Sequence, residues 1–119
     1  MNEVKIIIFD IPPSNNKYMG NSHSFHEYRV EKQKWEWLVR SAIKKRPNRP
    51  FKKAEVIIEY FFGDRKRRDP DNYSGKFLLD GLTKCGILED DSFENIQLNL
   101  KGNYDKKNPR TEITVKEVN

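Results

Sequence analysis

A proline between two aspartates, set directly after four cations, is the first limit on how this chain folds. The stretch reads Arg65-Lys66-Arg67-Arg68-Asp69-Pro70-Asp71-Asn72. Pro70 has a fixed φ and disfavours the α region at Asp69, so no helix runs through this point. Gly63-Asp64 stops whatever precedes it. In an extended segment side chains repeat with period two, so Asp69 and Asp71 are expected to point the same way. Two unit charges about 4 Å apart repel by roughly 4 kcal/mol at an effective dielectric of 20. The simplest reason to hold two carboxylates there, beside a phosphate-seeking run, is a divalent cation placed against a nucleic-acid backbone.

The rest of the chain sorts around that break. Val4 to Phe9 is β-branched and apolar and reads as a strand, ended by the turn residues Pro12-Pro13-Ser14-Asn15-Asn16. Lys17 to His26 is polar and reads as a mobile loop. It carries His23 and His26, at a spacing that serves a metal on a helix but more simply marks loop residues near a helix start. Ser24-Phe25-His26-Glu27 has the form of a capping box. A helix is expected from about Phe25 to Lys45, with Trp35, Leu38, Val39 and Ala42 as its apolar stripe and Trp37 off it, free for a subunit interface. Ala54 to Phe62 reads as a central strand. After the Asp-Pro-Asp break, Asp71 or Asn72 is expected to cap a helix over about Tyr73 to Lys84, ended by Gly86. Gly81 within it implies close packing.

Two strands follow. Ile96, Leu98 and Leu100 alternate with Gln97, Asn99 and Lys101, and Thr111, Ile113 and Val115 alternate with Glu112, Thr114 and Lys116. They are expected to form an antiparallel hairpin with one wet face. The order is β-α-β-α-β-β, an α/β (mixed α+β) arrangement of a small mixed sheet and two helices, in one domain over residues 1–119. Edge strands and exposed aromatics leave surface for a homodimer.

Composition narrows the partners. A net charge of +5 and a pI near 9.3 favour a polyanion or an anionic surface. The single cysteine, Cys85, excludes an internal disulfide and a multi-cysteine zinc site in one chain. Ile6-Ile7-Ile8-Phe9 is too short for a signal peptide or a membrane span, so a cytoplasmic protein with no membrane partner is expected.

A second acidic knot, Glu89-Asp90-Asp91, follows the second helix. If the chain brings Asp90 or Asp91 to Asp69 and Asp71, the oxygen ligands select Mg2+ or Mn2+ over softer metals. Lys76 then orients a water or offsets phosphate charge, and Arg65, Lys66, Arg67 and Arg68 neutralise flanking phosphates. There is no P-loop, no dinucleotide fingerprint and no grouped triad. The calcium-loop reading of Asp69 to Gly75 fails on its proline, its tyrosine and its late glycine. Three readings stay open on residues alone: a metal-dependent nuclease, a noncatalytic nucleic-acid binder, and a solvated surface of weak ion pairs with an ordinary turn.

The run Arg67-Arg68-Asp69-Pro70-Asp71-Asn72, then Leu79-Asp80-Gly81-Leu82-Thr83-Lys84 and Gly86, then Asp90-Asp91, resembles the RusA family of Holliday junction resolvases. Pro12-Pro13-Ser14-Asn15-Asn16 with Tyr18 is similar to that family's N-terminal signature. The resemblance spans almost the whole chain, and its central block is specific. It implies a small homodimeric endodeoxyribonuclease of bacteria and prophages. Such an enzyme uses Mg2+ or Mn2+ to nick opposed strands of four-way junction DNA symmetrically, in recombination and repair. Branched- or single-strand-DNA cleavage and noncatalytic junction binding are the alternatives. The family's carboxylates fall on Asp69, Asp71 and Asp91, with Asp90 adjacent. Its lysine early in the second helix falls on Lys76, although the interval from Asp71 to Asp80 is one residue longer here than in the best-known member.

Overall fold

Alternation decides the core. On three strands the inward residues line up in rows across the sheet: Val4 opposite Val115 opposite Val56, then Ile6, Ile113 and Ile58, all buried. The computed structural model describes residues 2–18 and 25–118. The strands are β1 (Glu3–Ile8), β2 (Ala54–Phe62), β3 (Ile96–Tyr104) and β4 (Arg110–Glu117); the helices are α1 (Phe25–Ala42) and α2 (Lys76–Lys84). The element order matches the expectation, and the fold is a small mixed α/β one. His23, the Ser24 cap and most of the expected loop from Lys17 to His26 lie outside the described residues.

The sheet order is β1-β4-β2-β3. β4 runs antiparallel to both β1 and β2, and β2 pairs in parallel with β3. The expected β3–β4 hairpin is therefore absent. β2 carries apolar residues toward both faces, with Val56, Ile58 and Tyr60 buried and Ile57 and Phe61 half-buried. Such a strand loses most water contact between two neighbours. β3 is polar on one face and takes the edge instead. The connection at 105–109 arches over the end of β2, where the Asp105 N–H donates to the Phe62 carbonyl (2.9 Å).

α1 buries Trp35 and Val39, and Trp37 is 64% exposed, as the stripe requires. α1 ends at Ala42, short of Lys45. α2 packs on α1 at Gly81, where an added Cβ would stand 3.1 Å from Val39 Cγ2. At its end the Ile87 N–H reaches the Leu82 carbonyl (3.0 Å) and the Gly86 N–H reaches Thr83 (3.2 Å), with Gly86 at φ 80°. This glycine-dependent stop turns the chain toward Phe51. No described helix is long and apolar enough to cross a membrane.

Candidate functional site

Beyond β2 the basic stretch is tied down by stacking. The Arg65 guanidinium lies over the Tyr104 ring and that of Arg68 over Phe62, each 4.2 Å from the centroid. Arg68 Nη1 also donates to Asp64 Oδ1 at 2.8 Å. That bond, with the Lys66 N–H donating to the same oxygen, holds the Asp64 carboxyl below the usual carboxylate range. Arg67 Nε donates to Asp69 Oδ1 at 3.2 Å. Of the four cations, Lys66 alone is neither stacked nor ion-paired among the described residues.

Asp69 is extended, with φ −105° and ψ 141°, as its proline demands. The extended geometry then stops. Pro70–Asn72 is a 3-10 turn in which the Asn72 N–H donates to the Asp69 carbonyl (3.0 Å) and that of Tyr73 to Pro70 (3.1 Å). Period-two alternation therefore does not relate Asp69 to Asp71, because the second acid sits in a turn. Asp71 is exposed and Asp69 half-buried.

The turn is clamped from far away in sequence. Asn15 Nδ2 donates to the Asp71 carbonyl and to Ser74 Oγ, both at 3.0 Å. The Pro-Pro-Ser-Asn-Asn segment thus braces the acidic turn. A cavity of about 260 Å³ opens beside it, walled by Tyr60, Tyr73, Asp69, Leu100 and Lys101. Burial, with Tyr73 beside it, pushes the Tyr60 phenol well above the ordinary phenol range, so it stays neutral.

Neither Asp71 nor Asn72 caps α2. Gly75, in the left-handed region at φ 81°, precedes Lys76, the first helical residue. The helix expected from about Tyr73 therefore begins three residues later, which puts Lys76 at its first position. Lys76 is exposed at the mouth of the turn. Gly75 is required twice over. Its φ suits glycine, and an added Cβ would stand 2.5 Å from Ile58 Cδ1.

Asp90 and Asp91 lie in the loop before β3. The Asp91 N–H donates to Asp90 Oδ1 at 2.8 Å. Asp69 and Leu100 wall the same cavity, whereas Asp91 lies in the loop that leads to Ile96 at the start of β3. Among the described residues, no three His, Cys, Asp or Glu side chains come close enough to share a metal ion. The single chain does not gather Asp69, Asp71 and Asp91 as one set of three. The donor set is nonetheless oxygen-only and accessible. That suits Mg2+, which binds through one or two carboxylates and completes its shell with water and substrate phosphate. His26 is exposed near the start of α1.

A family model described as "Endodeoxyribonuclease RusA" matches residues 10–116, which include every residue of the site. No curated protein matches the chain.

Proposed function

The chain belongs to the RusA endodeoxyribonuclease family, and on that premise we propose that it resolves four-way DNA junctions by paired, symmetric nicks. The observation that carries the reading is the Asp69-Pro70-Asp71 turn, fixed by Asn15 and followed at once by Lys76 at the head of α2. In this reading Asp69 and Asp71 would hold Mg2+ or Mn2+, and Asp91, with Asp90 beside it, would have to be drawn in from the loop before β3 on metal and DNA binding to join them. A cation held there would polarise the scissile phosphate and offset its charge. Lys76 places a positive charge where the attacked phosphate gains negative charge. Arg67 leaves Asp69 for a phosphate when DNA arrives, while the stacked Arg65 and Arg68 keep the loop in place.

Two opposed strands require two sites, and a homodimer supplies them about a two-fold axis. We place the protein in the cytoplasm of a bacterium, encoded by the host or a prophage. The test is cleavage of a mobile four-way junction, a duplex and a flap, with and without Mg2+. Paired nicks in the junction alone, only with Mg2+, are expected. Equal cutting of flaps or single strands would replace the reading with a looser nuclease, and an intact junction would end it.

A further inference from the structure

The Arg65 to Arg68 run spends much of its charge on its own neighbours. A second basic segment does not. Residues 44–53 read Lys-Lys-Arg-Pro-Asn-Arg-Pro-Phe-Lys-Lys, six cations and no acid. All six, Lys44, Lys45, Arg46, Arg49, Lys52 and Lys53, are exposed, and none is ion-paired among the described residues. Gathering six like charges costs energy, and salt relieves only part of it.

The segment is held in place rather than trailing. The Phe51 N–H donates to the Ile87 carbonyl (2.8 Å), and the Phe51 carbonyl accepts from the Glu89 N–H (3.0 Å). The Lys53 carbonyl accepts from the Val118 N–H (2.9 Å), and Asn95 Nδ2 donates to the Lys52 carbonyl (2.9 Å). Arg46 Nη1 donates to the Cys85 carbonyl. Pro47 and Pro50 stiffen the intervening turn. Lys45, Arg46 and Arg49 line a concavity of about 640 Å³, with Glu117, bound by Asn2 Nδ2 at 2.9 Å, at its rim. These tethers place the cations beside the Glu89-Asp90-Asp91 knot, at the end of the sheet where β2 and β3 begin.

We propose that residues 44–53 form a second DNA-contact surface, which holds the phosphate backbone of a duplex arm leading away from the cleaved strand. The proposal rests on the junction reading for the identity of the arm. Its occupant follows from charge. A dense, unpaired and rigid cationic face on a DNA-cutting chain suits a rigid line of phosphates.

The experiment measures metal-free binding in EDTA, so no cleavage enters it. Lys45→Gln/Arg49→Gln/Lys52→Gln is compared with wild type on a long-armed junction and on one with arms trimmed to stubs, over a salt series. A control, Lys5→Gln/Arg29→Gln/Lys34→Gln, removes equal charge from β1 and α1. On long arms the first variant is expected to bind at least about 10-fold more weakly, with a log–log salt slope shallower by about 2–3. On stubs it matches wild type. Equal losses in both triple variants, or an equal loss on long arms and stubs, would overturn the proposal, and so would an unchanged slope in a variant with a wild-type melting curve. Failure of wild type to cleave a junction would instead sink the function proposed above and leave the slope comparison standing.

Discussion

Asp71 offers the site two different groups: a main-chain carbonyl held by Asn15 and a carboxylate that no cation neutralises among the described residues. Asp71→Asn keeps the first and removes the charge of the second. Cleavage is expected to fall by about 100-fold or more while junction binding is kept, as single-turnover cleavage and gel-shift assays would report. Asn15→Ala does the reverse. It leaves every carboxylate in place but frees the turn, and misplacement of about 1 Å costs on the order of 100-fold in rate. Slower cleavage with unchanged junction affinity is the expected result; wild-type cleavage would show that the clamp does not position the acids. The two residues also mark what could be read from the sequence. Asp-Pro-Asp is a local pattern, and its proline announces the extended Asp69. Asn15 is 56 residues from Asp71, and a side-chain amide on a distant carbonyl leaves no periodic trace.

At the scale of the element, alternation and glycine placement carried most of the information. β2 runs from Ala54 to Phe62 as the pattern requires, and Gly86 stops α2. The start of α2 was less legible. Asp71 and Asn72 are good capping residues by type, yet the chain spends them on a 3-10 turn, and Gly75 supplies the bend. Strand pairing was illegible for a different reason. Alternation tells which face of β3 is inward but not which strand lies beside it. Gly75 and Gly86 offer a matched test, since φ is near +80° at both. An added Cβ meets nothing within 4 Å at Gly86, so Gly86→Ala is expected to cost only the backbone strain, about 1–2 kcal/mol. At Gly75 the clash with Ile58 adds to it, for a total of about 2–5 kcal/mol. Urea unfolding of the two variants measures the difference. Equal losses would mean that Ile58 moves aside without cost.

Across the whole molecule, the ends of β2, β3 and β4 meet in a belt of guanidinium groups and carboxylates. Arg110 lies over Phe61, 3.8 Å from the ring centroid, and donates to Asp105 Oδ2 (2.9 Å) and Glu112 Oε2 (2.6 Å). On the other side of β2, Arg68 joins Asp64 to Phe62. The Asn108 N–H, and then Arg110, lower the Asp105 carboxyl below its usual range, as Arg68 and the Lys66 N–H lower that of Asp64. Both acids release their protons more readily folded than unfolded. Each therefore contributes stability above the unfolded aspartate value, near pH 3.9, and loses it as pH falls through the lowered folded value. The net charge of +5 adds a general acid penalty as further carboxylates protonate. Asp64→Asn/Asp105→Asn separates the two effects. The variant is expected to be less stable than wild type at neutral pH and to lose less stability as pH drops from about 5 to about 2, so the two curves converge in acid. Urea midpoints across that range test it. Parallel curves would mean that the belt is screened by water and that acid unfolding comes from overall charge alone.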